Sequence, residues 1–99
     1  MAAKDGSLPI RKMLTGRLHG NGHALRSRWE HDMPAWRNQC QRCGEDIEMR
    51  LGRKSEAVRN GLRWWSTHGH PEIVWIIEGS LSFRGRCRGH RFTFEGADT

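Results

Sequence analysis

Apolar and polar residues alternate along 24–30 and again along 45–51. A period of two is typical of a strand that buries one of its faces. The intervening segment 31–34 contains Asp and Pro, which favour turns, and 35–39 continues from it as a further strand. We therefore predict an antiparallel meander of three strands, in which residues 40–44 form the second turn.

The next segment changes to a helical period. Ser55 is a suitable N-cap, and Val58, Leu62 and Trp65 follow it with the i, i+4, i+7 spacing of one helical face. Pro71 cannot continue a helix, because it lacks a backbone donor. The pattern therefore predicts one helix that begins near Ser55 and ends shortly before Pro71.

A second pair of strands follows this helix. The run 73–77 is the longest apolar stretch and is rich in β-branched residues, as buried strands are. Residues 78–80 predict a hairpin turn, after which Leu81 and Phe83 alternate with polar residues, and 91–95 alternates again. The predicted fold class is α+β: a small antiparallel β structure of two hairpin or meander units with one helix.

The first 22 residues have no comparable pattern. They combine basic residues with four glycines, and Pro9 interrupts a helical pattern. We interpret 1–22 as a basic, loosely organised arm, 23–96 as a single folded domain and 97–99 as a tail.

The chain has little apolar material with which to stabilise a core. Only 35% of its 99 residues are hydrophobic, 28% are charged, and the mean hydropathy is -0.81. Domains this small bury a modest share of their surface, so they often rely on disulfides or a structural metal. Three cysteines cannot all pair within one chain, which favours the metal.

No stretch of the sequence indicates export or membrane insertion. Residues 1–17 contain no apolar run of the kind found in signal peptides, and no segment approaches the length that spans a bilayer. We therefore expect a cytoplasmic protein without membrane contact, whose thiols stay reduced and available to a metal.

Two units with the same spacing contain every cysteine of the chain. Cys40-Gln41-Arg42-Cys43-Gly44 is a Cys-x-x-Cys knuckle closed by a glycine, and Cys87-Arg88-Gly89-His90 repeats the spacing with a histidine at its end. A Cys-x-x-Cys turn lets two sulfurs converge on one ion, and three cysteines with one histidine are a common structural zinc set. The predicted ligands of a zinc ion (Zn2+) are Cys40, Cys43, Cys87 and His90.

This arrangement resembles a zinc ribbon, or its treble-clef relatives, in which knuckles on two β-hairpins share one zinc ion. The resemblance covers the four ligands and the strands beside them, and it implies a zinc-stapled domain. The first unit matches the pattern well, whereas the second ends in His90 with no glycine directly after it. In size, arginine content and odd cysteine number, the chain is also similar to small orphan proteins of phages of high-GC bacteria.

The fourth ligand has alternatives in the sequence. Gly22-His23 precedes the meander and could place an imidazole near the first knuckle. Further histidines could likewise replace His90, namely His19, His31, His68 and His70. The alternative to a metal site is that the reduced cysteines act as small apolar residues.

The charge of the chain indicates the kind of partner. There are 17 Lys and Arg residues against 11 Asp and Glu, a net charge of +6, and nearly all the basic residues are arginine. Arginine pairs two-pronged with phosphates and carboxylates, so nucleic acid or an acidic protein surface is the expected partner. A solvated face that maintains solubility, or a high-GC codon bias, is the alternative. The predicted contact residues are Arg42, Arg59, Arg63, Trp64, Arg84, Arg86, Arg88 and Arg91.

Trp64 stands directly beside Trp65, and one helix can hardly bury both equally. An exposed Trp64 could stack on a base or anchor a protein partner. The alternative is partial burial at the edge of the core, which is common for tryptophan.

We interpret the chain as a non-enzymatic, zinc-stabilised module that contacts nucleic acid mainly through phosphate-directed arginines. A protein-interaction module, such as a phage-encoded modulator of an acidic host protein, is the first alternative. A metal-dependent nuclease is the second, with His68 or His70 as base and Glu72 or Glu78 on a metal, although the sequence contains no nuclease motif.

Overall fold

The computed structural model describes residues 6–67, 69–83 and 85–87. In chain order, the elements are α1 (Leu8–Gly20), β1 (Glu30–Asp32), β2 (Ala35–Gln39), β3 (Asp46–Arg53), α2 (Lys54–Arg59), β4 (Arg63–Ser66), β5 (Ile73–Glu78) and a 3-10 turn (Ser80–Phe83). The five strands form one antiparallel sheet in the order β1-β2-β3-β5-β4. The predicted α+β class is therefore confirmed.

The register of the sheet places its large apolar residues on one face. Trp36 lies opposite Met49, and Met49 lies opposite Ile77. Trp65 and Trp75 are paired in the same way across β4 and β5. Directly opposed residues of antiparallel strands share a face, and α1 packs against this one to form the main core.

The opposite face carries ion pairs and a small second core. Arg37 pairs with acids on β1 and β3, and Arg50 pairs with acids on α2 and β5. Ala57 of α2 packs against Val74 and Ile76 of β5. The sheet is thus covered on one side by α1 and on part of the other by α2.

Helix α1 forms where the sequence indicated a loosely organised arm. Its Ile10, Leu14 and Leu18 recur every four residues and are buried in the main core. Pro9 is compatible with the helix because it lies in the first turn, where its missing N–H has no helical acceptor. Residues 8–20 therefore pack with the domain rather than extend from it. Within the described residues, no helix has the length and apolar character needed to span a bilayer.

The helix of the second half is shorter than its pattern indicated. It ends at Arg59, and Gly61 follows with a φ of +67°. A left-handed glycine just past a helix is a common stop signal. Trp64 and Trp65 then lie in β4, where Trp65 faces Trp75 across the strand pair. Pairing of this segment with β5 therefore outweighs the helical spacing of its apolar residues.

Of the strand predicted at 24–30, only Glu30 lies in a strand, at the start of β1, and Leu25 forms a single bridge with Cys40. The buried Asn38 explains the difference. Its Oδ1 accepts from the Arg26 N–H at 2.9 Å, and its Nδ2 donates to the Arg26 carbonyl at 3.1 Å. One side chain thus supplies the hydrogen bonds that a strand ladder would otherwise provide.

A 3-10 turn replaces the returning strand predicted after β5. Gly79 has a φ of +111°, and a Cβ there would lie 2.6 Å from the Asp46 carbonyl oxygen. Ser80 Oγ accepts from the Asp46 N–H at 3.1 Å. The Gly79 backbone thus lies close against β3, and the hydrogen bond of Ser80 ties the chain to β3 as it leaves the sheet. The predictions for 91–95 and 97–99 concern residues outside the described ranges.

Candidate metal centre

Four side chains that can ligate a metal meet at one point of the fold, and their ligand atoms all lie within 4.8 Å of one another. Three segments supply them: the turn after α1, the knuckle between β2 and β3, and the chain after the 3-10 turn. No other His, Cys, Asp or Glu group in the described part of the chain is this compact. The four residues are His23, Cys40, Cys43 and Cys87.

Two separations within this cluster fit the edges of a tetrahedron. Zinc bonds of about 2.3 Å to sulfur and about 2.05 Å to nitrogen give edges of about 3.8 Å between sulfurs and about 3.6 Å between sulfur and nitrogen. The Sγ atoms of Cys40 and Cys87 are 3.7 Å apart, and Cys43 Sγ is 3.7 Å from His23 Nδ1. A disulfide needs about 2.05 Å between sulfurs, and all three cysteines are free.

His23 presents Nδ1 to the cluster because its other ring nitrogen is engaged. Nε2 lies 3.0 Å from the carbonyl oxygen of Gly85. A carbonyl only accepts, so in the neutral ring Nε2 carries the proton and Nδ1 keeps a free lone pair. His23 as a whole is 4% exposed. Metal-binding histidines are commonly oriented by a carbonyl in this way.

The knuckle has the backbone geometry that its sequence predicts. Gly44 has a φ of +79°, and its N–H donates to the Cys40 carbonyl at 2.9 Å. The N–H groups of Ala24 and Arg42 point at Cys40 Sγ, at 3.3 and 3.4 Å. Such donors stabilise a thiolate, which is the form of cysteine that binds metal.

Burial and hydrogen bonding act on the thiols in opposite directions. Burial would raise the pKa of Cys40, but hydrogen bonds from the backbone of Ala24, Cys43 and Arg42 lower that pKa to about 6. Burial raises the pKa of Cys43 to about 11, and the neighbouring Cys40 sulfur adds to the shift. A bound cation would favour the thiolate form of both.

The turn after α1 is tied to both cysteine segments. The Asn21 carbonyl accepts from the Cys87 N–H at 3.0 Å, and Arg42 Nη1 donates to the Gly22 carbonyl at 2.8 Å. Cys40 and Cys87 are buried, at 1% and 6% exposed. The backbone therefore fixes the positions of the ligand atoms in a largely dry site.

The convergence that the sequence predicts for the three cysteines is confirmed. The predicted fourth ligand, His90, lies outside the described residues. In the described cluster the fourth position belongs to His23, which the sequence offered as an alternative through Gly22-His23. That signal was weak because His23 stands 20 positions before Cys43, and no spacing rule links the two. Other described histidines remain outside the cluster: His19, His31 and His70.

The described residues considered for a nuclease are engaged in other contacts. His70 Nδ1 accepts from the N–H of Glu72 at 2.9 Å, within an exposed loop. The Glu78 carboxylate pairs with Arg50 at 3.1 Å. His68 lies outside the described residues. Among those described, no acid and histidine of this set converge on a shared point.

The predicted arginines that the structure describes lie in two regions of the fold. Arg42 and Arg86 are exposed and belong to the segments that carry the cysteines. Arg59 and Arg63 are exposed at the end of α2 and the start of β4. Three more predicted residues lie outside the described ranges: Arg84, Arg88 and Arg91.

Trp64 lies on β4 rather than on a helix, and it is half-buried. Lys54 Nζ lies 4.8 Å above the centroid of its ring. This contact matches the alternative of partial burial at the edge of the core, with a cation already in place on the ring.

No protein-family model, curated protein or solved structure matches the chain. The resemblance to zinc ribbons therefore rests on the ligand spacing and on the observed cluster. The similarity to phage proteins rests on composition.

Proposed function

We propose that His23, Cys40, Cys43 and Cys87 hold a structural zinc ion, and that the chain is a zinc-stabilised binding module. The observation that carries this proposal is the match of the two 3.7 Å separations to the edges of a zinc tetrahedron. Three thiolates with one imidazole are ligands that favour zinc over harder cations. All four ligands come from the protein, as in structural rather than catalytic zinc sites.

The ion would connect segments that are distant in the sequence. It joins the turn after α1, the knuckle between β2 and β3, and the segment 85–87. Binding of an ion to the folded chain alone stabilises that state by mass action. Because the chain has few apolar residues with which to stabilise its core, a metal cross-link at the end of the sheet near the knuckle adds stability to the domain.

Cobalt substitution tests the proposed site by its ligand geometry. One equivalent of Co2+ added to the reduced, metal-free full chain should give the intense visible absorption of tetrahedral thiolate ligation. One equivalent of Zn2+ should then abolish the band. The weak spectrum of octahedral cobalt, or saturation at another stoichiometry, would contradict the proposal.

We also propose that the basic surface of the module contacts nucleic acid, mainly through phosphate-directed arginines. The sheet uses Arg37 and Arg50 for ion pairs, whereas Arg42, Arg63 and Arg86 are exposed and form no salt bridge with a described residue. The net charge of +6 supports the same proposal. The further predicted contacts are Arg59, Trp64, Arg84, Arg88 and Arg91.

Salt dependence tests this contact. The logarithm of the binding constant should fall linearly with the logarithm of the salt concentration, with a slope of about -0.7 per phosphate on a single strand or about -0.9 on a duplex. Absence of binding at low salt would contradict nucleic-acid contact. Binding of a glutamate-rich peptide instead would support the acidic-protein alternative.

A further inference from the structure

A groove between α1 and the sheet combines aromatic walls with positive charge. It has a volume of about 550 Å³, within the range of small-ligand sites. Three basic side chains line it, namely Arg11, Lys12 and Arg28, and so do Trp29 and Trp36. No acidic residue is among the described residues that line it. The groove therefore suits an anion that also has a flat apolar body.

The floor of the groove is a layered stack. The Cζ atom of Arg11 lies 3.7 Å from the centroid of the Trp36 ring, and the ring of His31 stacks on Trp36 at 4.0 Å. Arg11 Nε donates to Ser7 Oγ at 2.9 Å, which fixes the guanidinium over the indole. A guanidinium plane held in this way is a surface on which a nucleobase can stack.

The wall of the groove is also fixed before any ligand binds. Trp29 is 9% exposed, and its Nε1 donates to Thr15 Oγ1 at 3.1 Å. Thr15 Oγ1 in turn donates to the Arg11 carbonyl at 2.8 Å. The wall and the floor are therefore parts of one hydrogen-bonded unit. A preformed site of this kind loses little side-chain entropy on binding.

The rim carries two exposed cations. Lys12 on α1 and Arg28 in the loop before β1 are exposed, and neither forms a salt bridge with a described residue. Cations beside an aromatic groove are the arrangement that holds a phosphate next to a stacked base. An acidic peptide would use these charges but not the flat floor between them.

We propose that this groove binds one nucleotide of a single-stranded nucleic acid. The base lies against Arg11 and Trp29, and the phosphate lies between Lys12 and Arg28. The inference rests on the nucleic-acid contact proposed above, and it adds a base-stacking site on α1 to the arginines predicted near the metal.

Two strands of equal charge separate base stacking from phosphate contact. One is a labelled oligothymidine of about 15 nucleotides, and the other is an abasic strand of the same length. The full chain should bind the oligothymidine at least about fivefold more tightly, because stacking needs the base. Arg11→Lys keeps the charge but removes the planar guanidinium. It should therefore abolish the preference for oligothymidine without weakening binding of the abasic strand.

Charge variants test the rim of the groove. Lys12→Gln and Arg28→Gln should each weaken the binding of both strands by about fivefold at low salt. Arg17→Gln is the matched control, because Arg17 is exposed on the same helix and does not line the groove. It should change affinity by less than about twofold. Thermal unfolding of every variant shows that the fold is retained.

The outcomes distinguish the two proposals. If the unmodified chain binds neither strand, nucleic-acid contact is contradicted, and the groove proposal is overturned with it. If the chain binds both strands equally, and Arg28→Gln behaves like Arg17→Gln, nucleic-acid contact stands and the groove proposal is overturned. Binding of a glutamate-rich peptide in place of either strand identifies an acidic protein as the occupant and overturns the proposal.

Discussion

The sulfur atoms of Cys40 and Cys87 lie 3.7 Å apart although 47 positions separate the two residues in the sequence. A disulfide would bring the sulfurs to about 2.05 Å, whereas two thiolates on one zinc ion lie about 3.8 Å apart. The pair therefore has the spacing of ligands that share an ion. It joins the knuckle that closes the β2–β3 hairpin to the chain that leaves the 3-10 turn.

Removal of the metal should lower the stability of the whole domain. A strong chelator added to the zinc-loaded chain should lower the midpoint of thermal unfolding, because the ion binds to the folded state. Cys87→Ser should lower the midpoint in the absence of chelator, since three ligands hold the ion less tightly than four. The measurement is a thermal melt followed by circular dichroism.

The control for this prediction is the Cys87→Ser variant treated with the same chelator. Chelation should lower the midpoint of Cys87→Ser by less than that of the unmodified chain, because the two changes remove the same interaction. Equal shifts in both proteins would show that the chelator acts elsewhere and would contradict a metal role for Cys87.

The decrease in the free energy of unfolding at acidic pH should depend on Glu56. Arg50 Nη2 donates to Glu56 Oε2 at 2.8 Å, and this hydrogen bond lowers the pKa of the carboxyl below its usual value of 4.5. Because the pKa is lower in the folded state, the stabilisation is present above pH 4.5 and is lost as the pH falls through the folded-state pKa. Glu56→Gln should therefore make the loss of stability in acid shallower.

Urea unfolding at a series of acidic pH values measures this effect. Glu30→Gln is the control, because Glu30 is exposed and forms no salt bridge with a described residue. Acid also protonates the cysteines, but that loss is common to all the variants and cancels in the comparison. If Glu56→Gln loses stability in acid as steeply as the unmodified chain does, the pair with Arg50 adds nothing to stability.

Gly79 should tolerate no side chain, because its backbone approaches β3 too closely. A Cβ would lie 2.6 Å from the Asp46 carbonyl oxygen and 2.9 Å from the Ile47 Cα atom. Gly79→Ala should lower the free energy of unfolding by about 3 kcal/mol, combining backbone strain with overpacking. Urea denaturation gives this quantity directly.

Gly85 provides a matched comparison for Gly79. Its φ of +109° is close to the +111° of Gly79, yet a Cβ at Gly85 would meet nothing within 4 Å. Gly85→Ala should therefore cost only the backbone strain, about 1 to 2 kcal/mol. Equal losses in the two variants would rule out the close approach to β3 as a cause.

The parts of the fold that local chemistry determines could be predicted from the sequence. The alternation at 45–51 became β3, the β-branched run at 73–77 became β5, and the second meander strand at 35–39 became β2. The Cys40–Cys43 knuckle was predictable for the same reason, because its geometry is set within five residues. In each case neighbouring residues are sufficient to select the structure.

The remaining features depend on contacts between distant segments. Helix α1 needs the apolar face of the sheet, since Ile10, Leu14 and Leu18 provide only a narrow apolar stripe between glycines. Trp64 and Trp65 lie in a strand because that segment pairs with the edge of β5. No pattern within a short window contains this information.

His23 is the clearest example of such a long-range feature. His90, at the end of the Cys-x-x-His unit, has the better local spacing, and the sequence predicts it as the fourth ligand. The structure brings His23 to the cysteines through the turn after α1 and orients it through the Gly85 carbonyl. Both relationships exist only after the chain has folded.

Zinc content per chain, measured for four proteins by elemental analysis after dialysis, tests the central claim most directly. The unmodified chain, His19→Ala and His90→Ala should each retain one zinc ion, whereas His23→Ala should lose it or bind it at least about tenfold more weakly. His19 is the control, because it is exposed, close in sequence to His23, and outside the cluster. Full zinc in His23→Ala together with its loss in His90→Ala would contradict the assignment of His23, and an unmodified chain without zinc would contradict the metal centre itself.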